Sequence, residues 1–168
     1  MPDSRDVNQL LGQMANNLRS LLALRSVSDP LMIGIHTGGV WVAQALHSQL
    51  GLSDPLGTLN ISFYRDDFTR IGMHPQVQPS SLPFEVENRH VILVDDVLHT
   101  GRTIRAALNE IFDYGRPASV ILACLIDRGG KELPVCADIV GEKIELLPNQ
   151  HIKLTGPEPL QLTVQGEK

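Results

Sequence analysis

Apolar positions along this chain fall into two periods. From Asp6 to Arg25, the residues Val7, Leu10, Leu11, Met14, Leu18, Leu21 and Leu22 recur three and four apart, the spacing that lines one face of a helix. Ser4 or Asp6 can cap its start, and Asp29-Pro30 ends the excursion. The stripe predicts a long amphipathic helix packed on a sheet or in a subunit interface. Leu31 to Ile35 and Val91 to Val94 are instead short continuous apolar runs, the pattern of strands buried on both faces of a parallel sheet. A helix pattern follows each. Val40, Ala43, Leu46 and Leu50 are closed by Gly51, and Ile104, Leu108, Ile111 and Phe112 by Gly115 and Pro117. Leu59, Ile61 and Phe63 alternate with polar neighbours, as in a half-buried strand, and Ser119 to Ile126 is again apolar and β-branched. Three strand-to-helix units in series predict an α/β fold, a central and mostly parallel sheet flanked by helices and joined by right-handed crossovers. The tail from Glu142 to Lys168 contains Pro148, Pro157 and Pro159 with a weak alternation at Ile152, Leu154, Leu160, Leu162 and Val164, enough for edge strands.

Composition narrows the class. The chain has 168 residues, 42% of them hydrophobic, which suits one domain over 1–168 with a sizeable core. No apolar run approaches the length of a membrane span, no signal-peptide pattern is visible, and Cys124 and Cys136 are too few for a disulfide scaffold. A cytoplasmic protein without membrane attachment is the expectation. A formal net charge of −5 argues against strong non-specific nucleic-acid binding, which rests on phosphate neutralisation by Lys and Arg. Any such contact must be local. His36, His47, His74, His90 and His151 show no metal-ligand spacing, so a zinc site is not expected.

Candidate chemistry gathers where strands end. Val91-Ile92-Leu93-Val94 runs into Asp95 and Asp96, and Thr100-Gly101-Arg102-Thr103 opens the next helix pattern. The carboxyl edge of an open α/β sheet is where ligands bind. Successive backbone N–H groups and two hydroxyls at a helix start suit an anion. Two carboxylates repel a phosphate, but as pure acceptors they suit the hydroxyls of a ribose. A sugar phosphate satisfies both halves. Paired acids also end strands and cap helices, and spacing alone leaves that reading open. Neither a Walker loop nor a dinucleotide fingerprint is present. The first strand likewise leads into His36-Thr37-Gly38-Gly39, where adjacent glycines allow close approach to an anion or simply make a tight turn.

The stretch Val-Ile-Leu-Val-Asp-Asp-Val-Leu-His-Thr-Gly-Arg-Thr, residues 91 to 103, resembles the phosphoribosyl pyrophosphate (PRPP) motif of type I phosphoribosyltransferases. More narrowly it is similar to the pyrimidine operon regulator and uracil phosphoribosyltransferase family, PyrR. The resemblance runs from about Leu31 to Gly141. It implies a type I phosphoribosyltransferase fold with a small hood and a flexible lid loop, and transfer from PRPP to uracil with Mg²⁺, giving UMP. By that resemblance Asp95 and Asp96 hold the ribose diol, Thr100, Gly101, Arg102 and Thr103 the 5′-phosphate, and Thr37, Gly38 and Gly39 the pyrophosphate. Relatives carry Thr-Arg-Gly in the last loop, so Gly38 stands where they have arginine.

Tyr64-Arg65-Asp66-Asp67 also occurs in that family, ahead of a lid. Residues Phe68 to Glu87, with Pro75, Pro79 and Pro83 and no convincing periodicity, fit such a loop. Arg65 is then a pyrophosphate contact or a solvated surface charge. Asp66 and Asp67 are Mg²⁺ ligands through water or ordinary loop acids. Asp127-Arg128-Gly129, Glu132-Leu133-Pro134 and Ala137 to Gly141 resemble the family's uracil hood. Arg128, all donor, can meet a base carbonyl, and the Val-Gly step carries a base contact to Val140. His99 precedes Thr-Gly, near the base ring, and imidazole exchanges protons near neutral pH. Relatives place aspartate or tyrosine there, which does not imply an obligatory base. The resemblance further implies binding of pyrimidine operon leader RNA in response to UMP, and a homodimer or higher homo-oligomer. Arg19, Arg25, Arg65, Arg70, Arg89, Arg102, Arg105 and Arg116 form no basic run, and aromatics are only 4%, little for unpaired bases to stack on. A catalytically weak sensor and a purine phosphoribosyltransferase are the alternatives.

Overall fold

The structure is a computed structural model that describes residues 6–61 and 79–166. Helix α1 spans Val7–Leu24, its start capped by the Asp6 side chain, which accepts from the Gln9 N–H at 3.2 Å. Strand β1, Leu31–Ile35, is buried throughout and leads into α2, Gly38–Leu50, which Gly51 ends in the left-handed conformation at φ 62°. β2 is Gly57–Leu59, β3 His90–Leu98, α3 Arg102–Tyr114, β4 Ser119–Asp127 and β5 Ile139–Lys143. β6, His151–Thr155, and β7, Gln161–Gln165, close the described chain.

The first five strands form one sheet in the order β2-β1-β3-β4-β5, every pair parallel. Side chains alternate across it. Met32, Ile92, Val94, Ile121 and Ala123 pack with Leu11, Met14 and Leu18 of α1 and Ala43 and Leu46 of α2. Leu31, Ile33, Ile35, Val91, Leu93, Leu122 and Cys124 pack on the other face with Ile104, Ala107 and Ile111 of α3. With both faces covered, the strands carry the unbroken apolar runs that distinguish them in the sequence. Glycine enforces one close contact here. A Cβ on Gly34 would lie 2.8 Å from Ala43 Cβ and 2.9 Å from Val40 Cα, so its absence lets α2 lie directly on β1.

Three features differ from expectation. β3 does not stop at Val94 but continues through both acids, because β4 runs beside it as far as Leu98↔Asp127. β2 holds only three residues, with Phe63 outside the described residues. Only two strand-to-helix units are seen among the described residues, since β4 reaches β5 through 128–138 without a helix. The predicted edge strands of the tail form a separate antiparallel hairpin, β6 with β7. Its Ile152, Leu154 and Leu162 join the core on the α1 and α2 side. Within the segment read as a lid, the described part packs down: Thr58 and Ser81 exchange backbone hydrogen bonds at 2.8 Å, Val86 is buried, and Phe84 lies over Gly57. The rest, with Arg65, Asp66 and Asp67, lies outside the described residues. No described helix is long and apolar enough to cross a membrane.

Candidate active site at the carboxyl edge of the sheet

A cavity of about 310 Å³ opens at the carboxyl ends of β1 and β3. Ile35, His36, Thr37 and Gly38 form one wall, Asp95, Asp96 and Val97 the second, and Thr103 of α3 and Ile61 complete it. Two crossovers that share one sheet edge thus bring together residues about 60 positions apart in the chain.

The adjacent acids point to opposite faces because β3 is still extended there. Asp95 lies in one cross-sheet row with Cys124 and Val140, on the α3 side. It is buried, and its carboxylate accepts from the Asp96 N–H at 2.8 Å. Burial, and then the charges of Asp95, Asp127 and Asp96, push the Cys124 thiol far above its ordinary range. Asp96 turns towards α2. Its Oδ1 accepts from the Val97 N–H at 2.8 Å, and its Oδ2 occupies the space that a Cβ on Gly38 would fill. Gly39 approaches the β3 backbone instead, a Cβ there lying 2.8 Å from the Val94 carbonyl oxygen. The paired glycines therefore bring the start of α2 against β3 and its acids.

Thr37 is the exposed N-cap residue of α2, makes no side-chain cap bond and lines the cavity at the helix start. The His36 N–H donates to the Leu59 carbonyl at 2.8 Å, and burial lowers the pKa of the imidazole below 6.5. His36 is the polar cavity residue to which the sequence pattern assigned no role. Its place directly after a buried strand is the signal in the sequence that points to it.

The turn before α3 is strapped from outside. Gly101 caps the helix at φ 95°, the Arg102 N–H bonds to Thr100 Oγ1 at 3.2 Å, and the N–H groups of Glu132 and Leu133 donate to the Thr100 carbonyl at 2.9 and 3.1 Å. Leu133 and Val135 close over Gly101. The Arg102 guanidinium turns away from the cavity and pairs with Glu132 Oε1 at 2.7 Å. Only Thr103 of this turn lines the cavity, through the first helical turn, where N–H groups lack intrahelical acceptors.

The residues predicted to meet a base sit farther along the same edge. His99 Nδ1 is 2.9 Å from the Gly129 carbonyl oxygen, and its ring packs on Gly130. Arg128 lines a second cavity of about 380 Å³ with Asp127, Lys131, Lys143 and Glu145. Its Nη2 reaches the Gln150 carbonyl at 3.4 Å, and its Nε is buried without a hydrogen-bond partner among the described residues. Burial opposes the charge on Asp127, but the Lys131 bond at 2.6 Å, the Gly129 N–H, and the charges of Lys131 and Lys143 outweigh it and hold the carboxyl below its ordinary range. The guanidinium of Arg128 and the carboxylates of Asp95 and Asp96 therefore line separate cavities. Val140 is half-buried within β5.

No group of three or more potential metal ligands occurs among the described residues. The first cavity instead offers two carboxylates and two hydroxyls, hard oxygen donors that suit Mg²⁺ arriving with its own phosphates rather than a metal caged by protein.

Three comparisons bear on this arrangement. The sequence pattern of the phosphoribosyl transferase domain family matches residues 6–157. A protein of Nitrosococcus oceani named bifunctional protein PyrR is 63% identical over 166 residues, 98% of this chain and 94% of that protein. One of the same name from Pseudomonas syringae pv. tomato is 60% identical over 157 residues, 94% of this chain and 92% of its own length. Among solved structures, the hypoxanthine phosphoribosyltransferase of Trypanosoma cruzi superposes with a TM-score of 0.69 at 18% identity, covering 96% of this chain and 93% of that one. A hypoxanthine-guanine-xanthine phosphoribosyltransferase gives 0.62 at 22% identity, with 86% and 79% covered. At such identities the likeness is one of fold.

Proposed function

Because the chain belongs to the phosphoribosyl transferase family and, within it, to the PyrR family, we propose that it transfers the phosphoribosyl group of PRPP to N1 of uracil, giving UMP and pyrophosphate. The observation that carries this reading is the single cavity shared by Asp95, Asp96, Thr103 and the Thr37-Gly38 turn. It places two acceptors beside two helix starts, the complement of a ribose diol between two phosphate groups.

Asp95 and Asp96 accept from the ribose hydroxyls and hold C1 in place. Thr100, Gly101, Arg102 and Thr103 surround the 5′-phosphate with backbone N–H groups and hydroxyls, and Thr37, Gly38 and Gly39 receive the pyrophosphate at the start of α2. On the base side, Val140 shares the cross-sheet row of Asp95. His99 and Arg128 flank the neighbouring turn, and these three are the groups proposed to meet the uracil ring. Arg65 adds a pyrophosphate contact, and Asp66 and Asp67 meet Mg²⁺ through water. Bound with the diphosphate, Mg²⁺ neutralises charge on the leaving group. The protein contributes positioning and fixed dipoles rather than a nucleophile.

The pocket also serves as a sensor. Carrying UMP, the protein regulates pyrimidine genes by binding operon leader RNA, the second activity of a bifunctional protein. It works in the cytoplasm as one domain per chain, assembled as a homodimer or higher homo-oligomer.

The test is UMP formation from uracil, PRPP and Mg²⁺, with hypoxanthine and orotate as parallel acceptors. Wild type is expected to use uracil. The double variant Asp95→Asn, Asp96→Asn is expected to fold with an unchanged Tm and to lose PRPP binding and turnover by about 100-fold or more. Unchanged PRPP affinity in that variant would remove the ribose assignment. Binding of UMP without turnover of any base would leave the sensor alone, and preference for hypoxanthine would make the protein a purine enzyme.

A further inference from the structure

We propose that His36 is a further catalytic residue of this site, its imidazole N–H donating a hydrogen bond to an oxygen of the departing pyrophosphate. The inference rests on the transferase reading above. In that reaction the C1–O bond breaks and its electron pair goes to the pyrophosphate oxygen. The N1–C1 bond forms from the uracil N1 pair, and the N1 proton leaves to water. Negative charge therefore grows on the leaving group, and donors aimed at it lower the barrier.

The described cavity is poor in such donors. Its charged side chains are the carboxylates of Asp95 and Asp96, which oppose that charge, and no lysine or arginine lies among the described residues that line it. The hydroxyls of Thr37 and Thr103 and the imidazole of His36 are the side-chain donors. Asp96 brings its carboxylate against Gly38, so negative charge stands at the very turn that would receive the pyrophosphate. His36 sits between that turn and β1. Its backbone is fixed by the bond to the Leu59 carbonyl, and the residue is half-buried and lines the cavity. An imidazole has a ring N–H to donate whether neutral or charged, so no proton need change hands.

The experiment compares wild type with His36→Ala and His36→Gln in UMP synthesis by the full chain with Mg²⁺, and in the reverse reaction of UMP with inorganic pyrophosphate. His36→Ala is expected to lower kcat by about 10- to 100-fold, with the KM for uracil unchanged and the KM for pyrophosphate in the reverse direction raised. His36→Gln, whose amide also donates, is expected to stay within about threefold of wild type. A kcat within twofold of wild type for His36→Ala would overturn the proposal. So would equal losses in both variants accompanied by a fall in Tm, since that marks a structural role. If wild type itself made no nucleotide with any base, the transferase reading would fail and this inference with it. An active wild type with an unaffected His36→Ala sinks the inference alone.

Discussion

Gly38 and Gly39 stand side by side at the start of α2, yet a methyl group would meet different neighbours at each. At Gly39 it would press on backbone, the Val94 carbonyl oxygen at 2.8 Å and Asp95 Cα at 3.0 Å. At Gly38 its nearest neighbours would be side-chain atoms of Asp96, whose carboxylate can rotate at the cost of its bond to the Val97 N–H. Gly39→Ala is therefore expected to lose about 1–3 kcal/mol of stability, read as a lower urea midpoint, while Gly38→Ala stays within about 1 kcal/mol of wild type. Equal midpoints for the two variants would contradict the assigned contacts. By spacing alone the two glycines are members of one turn. Their difference comes from which atoms of β3 lie opposite, and no local pattern encodes that.

β5 begins one residue later than the ladder with β4 requires, and Asp138 fills the gap. Its N–H donates to the Leu122 carbonyl at 2.8 Å, while its own Oδ2 accepts from the buried Leu122 N–H at 2.9 Å. A side-chain oxygen thus stands in for a missing strand partner. Asp138→Ala would leave that N–H unpaired in the core, an expected cost of about 1–3 kcal/mol. Asp138→Asn keeps an acceptor and is expected to cost less than half as much, a comparison that chemical denaturation makes directly. The second contact of Asp138, to Arg25 at 3.5 Å, is a partly exposed ion pair and contributes little. Helices and buried strands were legible along the chain because α1, α2, α3, β1 and β4 each satisfy one clear period. The ends of β3 and β5 were not, since a strand stops where its neighbour stops pairing with it.

Several of the described arginines are paired. Arg25, Arg89 and Arg102 each meet a carboxylate, Arg89 reaching both Asp29 and Asp54, and Arg19 bonds to the Gln49 carbonyl. Together with the net charge of −5, this pairing leaves little general attraction for nucleic acid. Leader RNA recognition is accordingly expected to depend on a local surface and on UMP. In filter binding at about 0.1 M salt, where charges beyond about 10 Å are screened, an unrelated RNA of equal length should not be retained. Leader RNA should bind more tightly when UMP is added, with an affinity that falls as salt rises. Retention of both RNAs alike would refute a specific, ligand-gated interaction.

The sequence by itself determined the parallel α/β architecture and the amphipathic α1, and singled out the stretch 91–103 as the candidate centre of the chemistry, because continuous apolar runs and adjacent charged residues are written locally. Tertiary structure decided what lies across the gap. It set Asp96 against Gly38, turned the Arg102 side chain away towards Glu132, assigned Arg128 to a cavity of its own, and brought His36 into the wall of the first. Those outcomes depend on strand order and register. Register is settled by packing both faces of the sheet at once, so residues far apart in the chain become neighbours only after the fold has closed.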